Sequence, residues 1–118
     1  MIRYHKVNNF TIAEAFDQGK IKPDDILDLM AEARYNDSGC MIIHAEDLGN
    51  EFFDLKTGIA GEILQKFSNY RMKLSIVGDF SRVKSKSLKD FIRESNRTGI
   101  ITFVSTLEEA LFRLSKKG

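Results

Sequence analysis

The chain has 118 residues, of which 42% are hydrophobic and 30% charged, and its formal net charge at pH 7 is +1. This composition predicts a single soluble domain over residues 1–118 and excludes a disordered chain. The near-neutral charge argues against nucleic acid or a membrane surface as a partner. Cys40 is the only cysteine, which excludes an internal disulfide. Because there is neither a signal-peptide core nor a membrane-spanning apolar run, we expect a cytoplasmic protein.

The first third of the chain predicts two strands and a helix. Ile2 to Val7 alternates in the manner of an edge strand, and Phe10 to Ala15 alternates more cleanly. Pro23 suits the first position of a helix, and the apolar spacing after it predicts a helix ending at about Tyr35. The residues from Asn36 to Gly39 are typical of a turn.

The rest of the chain predicts three more strands, each followed by a helix. The strands are expected at Cys40 to Ala45, Lys73 to Val77 and Ile100 to Val104. Glu46 to Asn50 is interpreted as a polar loop, and an apolar stripe from Phe52 predicts the second helix. A third helix begins near Leu88 and stops at Gly99, and a fourth ends the chain.

This order of elements, β-β-α-β-α-β-α-β-α, predicts an α/β fold. We expect a four- to five-stranded mixed sheet with about four helices packed mainly on one face. The helix-linked strands should lie parallel, joined by right-handed crossovers. Their carboxyl ends would then meet at one edge of the sheet, where proteins of this class form their sites.

A helix that opens at Asp54-Leu55-Lys56-Thr57-Gly58, in this order of elements, resembles the STAS domain. STAS domains occur in anti-sigma-factor antagonists and in the tails of sulfate transporters. The resemblance covers roughly residues 10–116 and implies a STAS-like fold and a regulatory role. In that family a serine two residues before the glycine is phosphorylated by a partner kinase. Lys56 occupies this position here, and the nearest hydroxyl belongs to Thr57.

Three longer runs carry a second resemblance: FFDLKTGIAGEILQKFSNYR, SIVGDFS and SKSLKDFIRESNR. They are similar to a bacterial family of domains of unknown function, numbered four-one-eight-zero. This resemblance covers nearly the whole chain. It implies no particular activity, cofactor or partner.

The first candidate binding segment comprises Asp54, Lys56, Thr57 and Gly58. A helix start offers free N–H groups and a positive partial charge, which would stabilise an anion or a phosphoryl group there. Thr57 is therefore a candidate for modification. The simpler alternative is that Asp54 or Thr57 caps the helix, and that Gly58 is small because the helix packs closely on the sheet.

The second candidate segment comprises Gly78, Asp79, Ser81 and Arg82, directly after a predicted strand. A glycine turn, a hydroxyl and a cation could together hold a phosphate, although the spacing of a P-loop is absent. The alternative is a solvated basic loop whose last serine caps the next helix.

The other polar side chains predict no metal site, cofactor or complete catalytic set. Four carboxylates are expected at the same edge of the sheet: Glu46, Asp47, Asp54 and Asp79. A pair of them could bind a cation or exchange protons, but acidic residues on loops are usually just exposed to solvent, and this is the interpretation we favour. His44 is interpreted as packed within its strand, and His5 lies on the edge strand.

These features favour a small regulatory or protein-interaction module over an enzyme. We expect it to dock an unidentified protein through a rim formed by residues 54–58 and 78–82, with Phe52 or Phe53 as an aromatic anchor. The alternative is a binding protein for a phosphate- or nucleotide-type ligand, or a hydrolase, using the same rim. A homodimer formed by pairing of the edge strand is a third interpretation.

Overall fold

A computed structural model describes residues 1–116 as one α/β domain with a five-stranded sheet in the order β1-β2-β3-β4-β5. The strands are β1 (Ile2–Val7), β2 (Phe10–Ala15), β3 (Cys40–His44), β4 (Lys73–Val77) and β5 (Ile101–Val104). The helices are α1 (Pro23–Tyr35), α2 (Ala45–Phe53), α3 (Ile59–Asn69), α4 (Lys86–Thr98) and α5 (Leu107–Leu114). None of these helices is long and apolar enough to cross a membrane.

A tight hairpin joins β1 to β2, and its turn consists of Asn8 and Asn9. Both residues are left-handed, with φ of 51° and 70°, and asparagine is one of the few residues that adopt this conformation readily. The turn pairs Val7 with Phe10 in an antiparallel ladder. The strand predicted at the edge of the sheet is confirmed there.

The other four strands are parallel, as the sequence predicts for those linked by helices. Each strand lies beside the next one in the chain, so successive right-handed crossovers carry their helices over the same face. Helices α1 to α4 cover that face, and their buried side chains include Ile26, Phe52, Ile63 and Phe67. Burying a side chain of this size stabilises a fold by about 1.5–3 kcal/mol.

On the opposite face of the sheet, α5 is the only helix within residues 1–116. Ala110 and Leu114 of this helix pack against Ile12, Ile42 and Val104 in a second, smaller core. The prediction that the helices lie mainly on one face is confirmed.

The polar loop expected at Glu46 to Asn50 is helical, since it forms most of α2. Leu48 and Phe52 are both buried in the larger core, so this segment packs against the sheet and does not remain a solvated loop. Gly49, with φ of 74°, kinks the helix between them. A 3-10 turn at Leu55–Thr57 separates α2 from α3, so the single predicted helix from Phe52 is two helices.

The exit of β4 is pressed against the start of α2. A Cβ added at Gly78 would lie 2.6 Å from the Cβ of Ala45 and 3.1 Å from Cζ of Phe80. Only glycine fits this contact, which fixes the position of the loop after β4 relative to the loop after β3.

We therefore expect Gly78→Ala to destabilise the protein by about 1–3 kcal/mol, because the new methyl group must displace its neighbours. Gly61→Ala in α3 is the matched control, since no atom of residues 1–116 outside its chain neighbours and its own helix backbone lies within 4 Å of the added Cβ. An alanine there should stabilise the helix by roughly 0.5–1 kcal/mol. Urea unfolding of both variants measures the difference, and equal effects would contradict the packing argument.

Candidate functional site

The first predicted segment, residues 54–58, is a self-contained turn between α2 and α3. The side-chain Oδ1 of Asp54 accepts a hydrogen bond from the backbone N–H of Lys56 at 3.1 Å. The hydroxyl of Thr57 points to the carbonyl oxygens of Glu51 and Asp54, both at 2.8 Å, and accepts the N–H of Ile59 at 3.2 Å. Asp54 thus caps the 3-10 turn and not α3, whose N-cap is Gly58 and has no side-chain cap. Thr57 binds the first N–H of α3 from the position before this N-cap, and these contacts hold Thr57 Oγ1 in place.

Gly58 has a conformational role in this segment. Its φ is +77°, in the left-handed region, and no atom lies within 4 Å of an added Cβ. The interpretation that close packing requires a small residue here is wrong, because the space beside Gly58 is open. Glycine is favoured instead because it reaches this backbone conformation without strain.

The second predicted segment, residues 78–82, is also closed by its own hydrogen bonds. Oδ1 of Asp79 accepts the hydroxyl of Ser81 at 2.6 Å and its N–H at 3.0 Å. The hydroxyl bond, and then the backbone bond, lower the pKa of the Asp79 carboxyl below its usual range. Asp79 therefore stays ionised, and Arg82 beside it is exposed.

Aromatic rings join the two segments. The ring of half-buried Phe53 lies 6.0 Å from that of half-buried Phe80, and the Phe80 ring lies 5.3 Å from that of Phe103 in β5. Phe52 is buried, so Phe53 is the member of the pair that reaches the surface. Within residues 1–116, no hydrogen bond or ion pair links the two segments. The contact that joins the two segments is therefore made by apolar rings.

The most elaborate polar cluster lies elsewhere and includes Glu14, His5 and His44 from three neighbouring strands. Glu14 in β2 is only 4% exposed. Its Oε1 lies 2.8 Å from Nε2 of His5 in β1, and its Oε2 lies 2.6 Å from Nε2 of His44 in β3. One buried carboxylate thus bridges two imidazoles on the face of the sheet that carries α5.

Electrostatics favour an ionised Glu14. Burial alone would raise the pKa of this carboxyl, but the hydrogen bonds from His44 and His5 outweigh burial and hold the pKa below its usual value. An ionised carboxylate only accepts hydrogen bonds, so the Nε2 atom of each ring carries a proton. The bridge therefore fixes the orientation of both imidazole rings.

A second buried carboxyl group lies close to this cluster, on α2. Burial, followed by the charge of Glu46, raises the pKa of Asp47, whereas the charge of His44 acts in the opposite direction. The pKa values of the Glu14 and Asp47 carboxyl groups are thus shifted in opposite directions. In the part of the chain described, no group of three His, Cys, Asp or Glu side chains is placed to hold a metal ion.

Glu14 lies within the strand predicted from Phe10 to Ala15, but no pattern within that strand connects it with either histidine. One signal in the sequence does point to this cluster. Glu14 lies in the mostly apolar strand FTIAEA, and a carboxylate buried in such a strand requires hydrogen-bonding partners. With a two-residue turn, the hairpin register brings His5 diagonally next to Glu14.

Two large cavities open beside α5, away from both predicted segments. Their volumes are 540 and 580 Å³, and they share Lys73, Leu114 and Lys116 as lining residues. Lys73 begins β4, so the cavities lie at the amino ends of the parallel strands. Neither the predicted rim nor the Glu14 cluster lines them.

Comparison with protein families identifies the chain at the level of a family. Residues 7–114 match the model described as "Domain of unknown function (DUF4180)". The chain belongs to this family. The resemblance to it predicted from sequence is confirmed, whereas the STAS-like resemblance stays a prediction. No curated protein and no solved structure matches the chain.

The Glu14 bridge predicts a specific dependence of stability on pH. Because the folded state lowers the pKa of Glu14, the bridge stabilises the protein above the pKa of the unfolded chain, about 4.3. This contribution is lost as pH falls through the lower pKa of the folded state. At neutral pH, Glu14→Gln should reduce the free energy of unfolding by roughly 1.5–3 kcal/mol.

Urea unfolding of wild type and Glu14→Gln between neutral and acidic pH measures this effect. The gap between the two free energies should narrow as pH falls below about 4.3, because the contribution of the Glu14 charge is lost between that pH and the lower pKa of the folded state. Asp28→Asn, which removes an exposed carboxylate from the middle of α1, is the control and should change the free energy little. A gap that stays constant down to acidic pH would show that the Glu14 charge does not stabilise the fold.

Removing the Thr57 hydroxyl should destabilise the protein less than removing the charge of Glu14. Thr57→Val keeps the shape of the side chain but removes the bonds to Glu51 and Asp54, and should cost about 0.5–1.5 kcal/mol. Thr57→Ser keeps the hydroxyl, so its stability should be closer to that of wild type. Thermal unfolding compares the two variants. If Thr57→Val were as stable as Thr57→Ser, the hydrogen bonds of the Thr57 hydroxyl would not stabilise the turn.

Proposed function

We propose that this chain is a STAS-like regulatory module that docks a partner protein through the rim formed by residues 54–58 and 78–82. The observation that best supports this proposal is the contact between Phe53 and Phe80, whose rings lie 6.0 Å apart at the base of the rim. Half-buried aromatic rings with polar residues around them are the usual composition of a protein-binding surface.

The internal hydrogen bonds of the rim also favour docking. Asp54 and Thr57 hold one segment, and the bond between Asp79 and Ser81 holds the other. The close contact at Gly78 fixes the second segment against α2. A surface ordered before binding loses less conformational entropy when a partner binds, so more of the interaction energy appears as affinity.

Thr57 is the residue through which modification would alter the rim. Phosphorylation would add a charge of about −1.5 to −2. It would also replace the hydroxyl that now bonds to Glu51 and Asp54 and so disrupt the turn. A phosphorylated Thr57 would therefore change both the charge and the shape of the surface offered to a partner.

A phosphate- or nucleotide-type ligand, or a hydrolase acting on one, is the second candidate for the same rim. Exposed Arg82 favours it because a guanidinium group binds phosphate through paired hydrogen bonds. However, the N–H and O–H groups of Ser81, which a phosphate would need as donors, already bind Asp79. The ionised Asp79 would also repel an anion, and the geometry therefore favours protein docking.

The proposal is tested by placing a photocrosslinking residue at position 56 or 82 of the full chain in its native cells. Both side chains are exposed, so the replacement should leave the fold intact. Position 73 is the matched control, since Lys73 is also an exposed cation but lies at the amino end of β4. We expect a discrete protein adduct from positions 56 and 82, absent at position 73 and lost with Gly78→Ala or Phe80→Ala.

Other outcomes would reject docking at the rim. Adducts equally abundant at position 73 would indicate nonspecific capture. If no adduct formed and a nucleotide or sugar phosphate raised the melting temperature in wild type but not in Arg82→Glu, the ligand-binding alternative would replace the proposal.

A further inference from the structure

The outer edge of β1 presents an unpaired row of backbone groups. The backbone N–H of Phe16 donates to the carbonyl of Met1 at 3.0 Å, and the N-terminal amine of Met1 donates to the carbonyl of Phe16 at 3.4 Å. The backbone groups of Met1 therefore point towards β2. Because antiparallel strands alternate, every second residue after Met1 also points inward. The outward residues are then Ile2, Tyr4 and Lys6, whose backbone N–H and C=O groups have no hydrogen-bond partner within residues 1–116.

The other edge of the sheet is partly closed. Asn96 in α4 reaches over β5, where its Oδ1 accepts the backbone N–H of Phe103 at 2.6 Å and its Nδ2 donates to the carbonyl of Phe103 at 3.3 Å. One side-chain amide thus occupies the outward backbone groups at the middle of the short β5 edge. Natural sheets commonly protect their edges in this way, and here the protection is on β5.

We propose that the β1 edge pairs antiparallel with the β1 edge of a second copy, with Tyr4 on the two-fold axis. In this register Tyr4 faces Tyr4 of the second copy, and Ile2 faces Lys6. The three outward residues of each chain then satisfy one another through about six backbone hydrogen bonds. Both β1 edges are then used, and Asn96 obstructs each remaining β5 edge, so the assembly ends as a dimer with one continuous sheet.

Backbone geometry and side-chain charge both favour this register. Lys6 faces Ile2, so the two lysines stay about 14 Å apart along the strands. Arg3 faces His5 of the second copy, behind which lies the ionised carboxylate of Glu14. Outward residues pair only with outward residues, so the neighbouring registers are shifted by two residues and form about four backbone hydrogen bonds instead of six. One of them also places Arg3 directly opposite Arg3 of the second copy, which like-charge repulsion disfavours.

The neighbouring surface of α1 also supports an occupant at this edge. Tyr4 Oη donates to the carbonyl of Glu32 at 3.3 Å and accepts from Asn36 at 2.8 Å, which places the end of α1 beside β1. Tyr35, next to Asn36 in the chain, is 88% exposed, the largest value among the exposed large hydrophobic residues. Two-fold pairing of β1 would bring both copies of this helix end to the same face of the joined sheet.

The test compares Lys6→Pro with Lys6→Ala in the full chain. Proline removes the outward N–H of residue 6 and leaves the hydrogen bonds to β2 untouched, and proline is tolerated on an edge strand in this orientation. Light scattering over a range of concentrations should give twice the chain mass for wild type and Lys6→Ala. Lys6→Pro should give the monomer mass or a dissociation constant raised at least tenfold, with unchanged circular dichroism.

Disulfide trapping tests the register independently of Lys6→Pro. Opposed residues in a hydrogen-bonded antiparallel pair have Cα atoms about 5.5 Å apart, within disulfide range. Tyr4→Cys should therefore form a covalent dimer, whereas Ile2→Cys, about 14 Å from its copy, should not. Cys40 is buried and burial raises the pKa of its thiol, so it should not interfere.

A monomeric wild type at every concentration would overturn the proposal. So would a dimer that Lys6→Pro leaves intact, or equal trapping at positions 2 and 4. Should Lys6→Pro fail to fold, the comparison between Tyr4→Cys and Ile2→Cys still decides the register. A wild-type monomer that binds an extended acidic peptide at β1 would reject the second copy as the occupant. The rim is not part of this edge, so the crosslinking results at positions 56 and 82 stand independently.

Discussion

The turn at Asn8 and Asn9 determines which way every side chain of the first two strands points. Side chains alternate strictly along a strand, so a hairpin shifted by one residue would reverse both strands. With the observed register, Ile2 and Tyr4 pack against the larger core, while His5 and Glu14 share the face that carries α5. The same register decides which backbone groups of β1 face outward.

The bridge between Glu14 and the two histidines illustrates the balance that a buried charge requires. An isolated carboxylate at this depth would be strongly destabilising, and a well-packed apolar residue would often serve stability equally well. Here His5 and His44 each supply one N–H, so both carboxylate oxygens are satisfied and three strands are tied together. The cluster links the stability of the domain to protonation at a single residue.

The sequence predicted those elements whose signals are local. Pro23 at the start of α1 and the apolar run of β4 define their elements to the residue, because a proline at a helix start and a buried strand are recognisable without neighbours. The extent of α2 was missed because Leu48 and Phe52 are its only fully buried apolar residues and Gly49 interrupts their helix.

The site was less accessible to sequence reasoning than the fold. The capping role of Thr57 could be named as an alternative because it depends on residues within one short segment. The contact between Glu14 and His44 joins residues thirty positions apart, through a parallel register that no turn specifies. The ring contact between Phe53 and Phe80 likewise depends on how two crossovers pack, which composition and periodicity do not encode.

The position of Cys40 has a consequence for the chemistry of the whole chain. Its side chain is 7% exposed, and burial raises the pKa of its thiol, so the reactive thiolate form is disfavoured. Oxidation to a sulfenic acid and capping by glutathione both require an accessible thiolate. The only cysteine of the chain is therefore largely shielded, and its thiol should react slowly with oxidants as long as the domain stays folded.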